Sequence, residues 1–76
     1  MTFEALQAHI GETLRVRRSL LGLDQASLSE ISGVSRHTVS NVESGKGNPT
    51  LSVVFELCDA LGLAISFETR QTEGSE

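Results

Sequence analysis

Apolar residues at Leu6, Ile10, Leu14, Leu20 and Leu21 recur near the helical period and predict a first helix over Phe3 to Leu21. Thr2 offers a capping hydroxyl at its start and Gly22 a permissive residue at its end, while Gly11 weakens its middle. Asp24 then reads as the N-cap of a short second helix whose buried side is Ala26, Leu28 and Ile31, and Gly33 breaks the chain. Ser35 can cap a third helix ending near Ser44, with Gly45 to Pro49 as the following loop. In that third helix Val39 and Val42 fall on one side. His37, Ser40, Asn41 and Ser44 fall on the other, at i, i+3, i+4 and i+7. Two apolar anchors and a stripe of short polar side chains make poor core material and a good surface for a groove.

Thr50 can cap a fourth helix, Leu51 to Leu61, apolar over more than half its circumference at Leu51, Val53, Val54, Phe55, Leu57, Cys58 and Leu61. One side of it serves the core, which leaves Val53 and Leu57 for a second surface. After Gly62 the period changes. Ala64 to Thr69 alternates, with Ile65 and Phe67 on one face, and reads as a strand, the single such segment in the chain. A lone strand leaves its backbone donors and acceptors unpaired, so a partner is expected, most simply the same strand of a second copy. The expected fold is therefore all-α with one short C-terminal β-strand. Val53, Leu57, Ile65 and Phe67 form the expected dimer interface. Residues 1–70 form one domain, and the polar residues 71–76 are expected to be a disordered tail.

Length supports the dimer. A chain of 76 residues buries only about 60% of its unfolded surface, and association is a common source of further burial. One cysteine, Cys58, cannot close an internal disulfide and sits in an apolar run, which suits a reducing compartment and a core position. There is no basic stretch followed by an apolar one at the start, and no apolar run approaches the ~20 residues that span a bilayer, so a cytoplasmic location is expected. Net charge is −4, which at first argues against a polyanionic partner. Its distribution reverses that argument. Up to Thr50 the bases Arg15, Arg17, Arg18, Arg36 and Lys46 balance Glu4, Glu12, Asp24, Glu30 and Glu43; beyond it Glu56, Asp59, Glu68, Glu73 and Glu76 oppose Arg70 alone. A local positive face matters more to a polyanion than the total, and the acidic third is expected to point away from it.

The two short helices joined at Gly33, the second polar along its outer face, form a helix-turn-helix unit over Gln25 to Ser44. Small Ser29 lets the helices cross closely, Gly33 permits a left-handed turn residue, and Leu28, Val39 and Val42 fix the angle between them. Arg36, directly after the Ser35 cap, can donate a fork to the O6 and N7 of guanine, and Asn41 can pair in bidentate fashion with adenine. His37 is open between a base, a phosphate and no contact. Arg15 and Arg17 read as ordinary solubilising charges. His9 and His37 have no metal-ligand spacing to Cys58, no Gly-x-Ser-x-Gly elbow occurs, and Gly45-Lys-Gly is too short for a phosphate-cradling loop, so no metal, cofactor or enzymatic activity is expected.

Leu21-Gly-Leu-Asp-Gln-Ala, Gly33-Val-Ser-Arg, Thr38-Val-Ser and Glu43-Ser-Gly-Lys-Gly-Asn-Pro-Thr resemble the Xre or lambdoid-phage-repressor-like family over residues 10 to 62. The ending Leu61-Gly-Leu-Ala-Ile-Ser-Phe-Glu, a strand where phage repressors carry a fifth helix, resembles the HipB-type antitoxins. The first resemblance implies a four-helix DNA-binding domain. By position it implies base contacts from Ser35, Arg36, His37 and Asn41, and phosphate contacts from Gln25, Ser44, Lys46 and Asn48. It also implies a structural ion pair of Arg18 with Glu43. The second implies a homodimeric repressor of its own operon that grips a palindromic operator on double-stranded DNA and binds a HipA-type kinase toxin. The tail here is short and lacks aromatic residues, so no toxin contact through a C-terminal extension is transferred. The alternatives are a stand-alone phage-type regulator without a toxin, and a protein-interaction module that has lost DNA binding.

Overall fold

The computed structural model describes residues 1–70 and contains four helices: α1 (Phe3–Leu20), α2 (Gln25–Ser32), α3 (Arg36–Glu43) and α4 (Leu51–Ala60). Each begins in the same way. The side chains of Thr2, Asp24, Ser35 and Thr50 accept a hydrogen bond from the backbone N–H three residues on, at Ala5, Ser27, Thr38 and Val53, over 2.8 to 3.2 Å. Such a cap satisfies one of the four donors a helix start leaves unpaired and is worth about 1 kcal/mol.

The ends are equally regular. After α1, α3 and α4 the second N–H past the cap reaches back to the third-last carbonyl of the helix: Leu23 to Arg18 at 3.1 Å, Lys46 to Asn41 at 2.9 Å, Leu63 to Cys58 at 2.8 Å. The residue between them bonds the next carbonyl along, which completes a Schellman motif. α2 stops at Gly33, whose φ of 76° lies in the left-handed region that side chains avoid. That turn drops Val34 into the core and leads directly to the Ser35 cap.

Leu14, Leu28, Val34, Val39, Val42, Leu57, Cys58 and Leu61 form the buried core, with Ile10, Leu23, Val53, Val54 and Leu63 packed around it. Three expectations need correction. Ile31 is exposed, because α2 ends one residue later and Val34 takes the core position that a further turn would have filled. Leu57 is fully buried in its own chain and belongs to the core, so it offers nothing to a second surface. α4 packs Leu57, Cys58 and Leu61 inward, and its exposed apolar residues are Leu51 and Phe55, one turn apart. Finally, Ala64 to Thr69 carries no strand, and no β-ladder occurs among the described residues. A ladder requires a second strand, and the described residues supply none. Residues 71–76, expected to be a tail, lie outside the described residues.

Gly11 is buried where α1 crosses the end of α3. A Cβ there would lie 2.4 Å from the carbonyl oxygen of Val42 and 2.7 Å from that of Glu43. The glycine that costs α1 helical propensity is what allows the two backbones to touch. Arg17 also does more than solubilise: its Nε donates to the Leu61 carbonyl at 2.9 Å and ties the end of α4 to α1.

Candidate nucleic-acid interface

α3 is anchored by two valines. Val39 and Val42 are buried, and the polar side chains on the opposite face are left outward: Arg36, His37 and Ser40 are exposed and Asn41 is half-buried. Ser35 caps the helix, and its hydroxyl also donates to Thr38 Oγ1 at 2.9 Å. His37 and Asn41, one turn apart, are joined through Nε2 and Nδ2 at 3.2 Å. Four of the residues expected to meet bases therefore share one helix and its cap.

Arg36 is linked electrostatically to the start of α2. The Asp24 carboxyl is held below the usual carboxylate range, first by the Ser27 backbone N–H, next by the Ser27 hydroxyl, and further by the positive charge of Arg36. Gln25 stands next to this cap. Its side chain is engaged within the protein, because Nε2 donates to Glu43 Oε1 at 3.1 Å. What remains for an anion at this end of α2 is the first turn of backbone and the helix dipole.

The loop after α3 brings up the other flank. Ser44, Lys46 and Asn48 are exposed, and Ser44 Oγ donates to the Asn41 carbonyl at 3.1 Å. The Gln7 side chain donates to the Gly47 carbonyl and clamps this loop to α1. Nothing in the local sequence announces that contact across 40 positions. Gly11 did carry a signal, since a glycine within a helical pattern costs about 1 kcal/mol and calls for a packing reason.

Behind the face lies a shielded ion pair. Arg18 meets Glu43 through two parallel bonds, Nε to Oε2 at 2.7 Å and Nη2 to Oε1 at 2.8 Å, and its Nη1 donates to the Leu23 carbonyl at 2.8 Å. The side chains are 14% and 3% exposed. Burial alone would push the Glu43 carboxyl up, but the hydrogen bonds from Arg18 and Gln25 and the charge of Arg18 outweigh it, and the net direction is down. This network joins α1, the α1–α2 turn, α2 and the end of α3, so it fixes how α3 is presented. Cys58 lies in the core, where burial pushes its thiol up and away from reactivity.

Residues 14–67 match the helix-turn-helix family. The chain is 32% identical over 66 residues to an uncharacterized transcriptional regulator in the ATPase CF(0) region of Rhodospirillum rubrum, covering 87% of this chain and 61% of that protein. It is 36% identical over 52 residues to an uncharacterized HTH-type transcriptional regulator of Methanocaldococcus jannaschii, covering 68% of this chain and 79% of the relative. Among solved structures, the restriction-modification controller protein C.AhdI from Aeromonas hydrophila superposes with a TM-score of 0.74 at 35% identity, covering 79% of this chain and 91% of that one. This chain belongs to the helix-turn-helix family. Among the described residues, no helix is long and apolar enough to cross a membrane.

Proposed function

We propose that the chain is a sequence-specific DNA-binding transcription regulator. α3 lies in the major groove, Arg36 and Asn41 read bases, and Lys46 and Asn48 meet phosphates on one flank while the start of α2 meets them on the other. The observation that carries this reading is the exposed polar face of α3, held rigidly by two buried valines, an N-cap and the Arg18–Glu43 pair. Apart from the His37–Asn41 bond, the outward side-chain donors and acceptors of this helix have no side-chain partner among the described residues. The regulators and the controller protein to which the chain is similar support the same reading.

The regulator acts as a symmetric dimer. Leu51, Phe55, Ile65 and Phe67 expose large apolar surface, and Phe67 is 92% exposed. An open apolar groove runs between α1 and α4 and is bordered by Ala64, Ile65 and Phe67. Pairing Ala64 to Thr69 with the same segment of a second copy would satisfy two sets of backbone groups at once and cover these side chains. Two recognition helices would then address half-sites roughly 34 Å apart.

A HipB-like antitoxin with a HipA-type kinase partner is the narrower form of this proposal. It rests on the ending Leu61 to Glu68 alone, and stable co-purification with such a kinase is its test. The function itself is tested by selecting duplexes from a random pool and titrating them at low and moderate salt. Enrichment of a palindrome, bound more tightly than scrambled DNA and with a steep salt dependence, is expected. No enrichment, and no salt-sensitive binding to any duplex, overturns the proposal and leaves a protein-interaction module.

A further inference from the structure

On the outer face of α3, Asn41 has its backbone carbonyl engaged twice. Its backbone carbonyl accepts from Ser44 Oγ at 3.1 Å and from the Lys46 N–H at 2.9 Å, which leaves only its side-chain torsions free. The Nδ2 of Asn41 then lies 3.2 Å from Nε2 of His37, one helical turn earlier. We propose that His37 is a positioning residue for Asn41, orienting its amide for an adenine edge before DNA arrives. The inference rests on the reading of α3 as the recognition helix and adds a division of labour to it.

The chemistry follows from the donor inventory. A primary amide has two N–H groups and one oxygen with two lone pairs, and a neutral imidazole protonated on Nδ1 offers Nε2 as an acceptor. For this role Nε2 of His37 must accept the Asn41 hydrogen that points away from Oδ1. The hydrogen beside Oδ1 and Oδ1 itself remain, side by side, as a donor and an acceptor. That pair complements N7 and the N6 amino group of adenine. Without His37 the terminal torsion of asparagine is broad and roughly two-fold, so the amide presents both orders of oxygen and nitrogen. Binding must then impose one order, at the usual entropic cost of ordering a side chain at an interface.

The test uses the full chain and a duplex that the wild type selects from a random pool. The base pair read by Asn41 is identified as the one where Asn41→Ala loses its preference, by about 5- to 150-fold. At that pair, His37→Phe keeps the ring but removes the acceptor, and is expected to reduce the preference about two- to tenfold. His37→Gln keeps an acceptor at a spacing that bonds asparagine and is expected to restore most of it. In the Asn41→Ala background, His37→Phe is expected to change nothing further at that pair. Binding to scrambled DNA and thermal melting should stay at wild-type values throughout, which a merely structural role for His37 would not allow. Full preference retained by His37→Phe overturns the inference. So does a loss confined to a different base pair, because His37 would then be reading a base of its own. Absence of any base preference that Asn41→Ala abolishes overturns it as well. A wild type that selects no duplex instead removes the DNA-reading function, and this inference with it.

Discussion

Gly11→Ala sets two effects of opposite sign against each other. Alanine is favoured over glycine inside a helix by about 1 kcal/mol, so on propensity alone the variant gains stability. The crossing of α1 with the end of α3 opposes that gain. The new Cβ would sit 2.4 Å from the Val42 carbonyl oxygen and 2.7 Å from that of Glu43, where ordinary contact begins at 3.4 Å. The two backbones must therefore part by roughly 1 Å, and neither has a rotamer that can yield. Overpacking of this kind costs about 1–3 kcal/mol, and contact with backbone on both sides places it at the upper end. The displacement also falls on Glu43, whose two parallel bonds to Arg18 depend on its placement. The net expectation is destabilisation by about 2 kcal/mol, which for a domain of this size lowers Tm by about 8–16 °C. Thermal unfolding followed by circular dichroism at fixed protein concentration reads this directly. Ser19→Ala, at an exposed position on the same helix away from the α1–α4 groove, serves as the control in which propensity acts alone and Tm stays level or rises. A Gly11→Ala protein that melts at or above wild type would refute the reasoning, since it would mean that α1 and α3 do not touch through this glycine.

Four further outcomes are expected. A double-mutant cycle on Arg18 and Glu43 should give a coupling above ~1 kcal/mol, the top of the range for exposed pairs, because both side chains are shielded. The folded-state pKa of Glu43 is lowered, so its contribution is fully present above the ordinary carboxylate pKa of about 4.3 and is lost as pH falls through the folded value. Urea melts of wild type and Glu43→Gln should accordingly converge on acidification, and parallel curves down to low pH would contradict it. Lys46→Ala should weaken binding to every duplex alike and reduce the magnitude of the salt slope by about one unit, read from affinities across a salt series. Removal of residues 65 onward should yield monomers in sedimentation and a collapse of operator affinity, whereas a truncated protein that remains dimeric would point to α4 as the interface.

Local grammar was fully legible in the sequence wherever the signal was short-range. Thr2, Asp24, Ser35 and Thr50 each cap a helix as their chemistry predicts, and Gly33 adopts the left-handed turn. The polar stripe of α3 was legible because Val39 and Val42 are the only large apolar residues in that helix, so they alone decide its inner face. Burial on the other helices was harder to read. α4 is apolar on too many sides for periodicity to select one, so the pattern leaves Leu57 free for an outer surface while the fold buries it in the core. Ile31 obeyed the helical period but met the end of its helix. The Ala64–Thr69 alternation describes a segment able to pair, and pairing depends on a second chain that no single sequence contains. Contacts that tie distant elements, Gln7 to Gly47 and Arg17 to Leu61, left no local trace at all.

The claim on which the account turns is that the outer face of α3 reads DNA sequence, and Arg36 is its most direct probe. The ratio of affinities for a selected operator and for the same duplex altered at one guanine should be measured for wild type and for Arg36→Ala. A bidentate contact to guanine is worth about 1–3 kcal/mol of discrimination, so the substitution should reduce that ratio by about 5- to 150-fold at that guanine and leave it unchanged at pairs one half-site away. An Arg36→Ala protein that retains the wild-type ratio at every guanine of the operator would contradict the account, because the exposed arginine at the head of α3 would then carry charge to the DNA and no information.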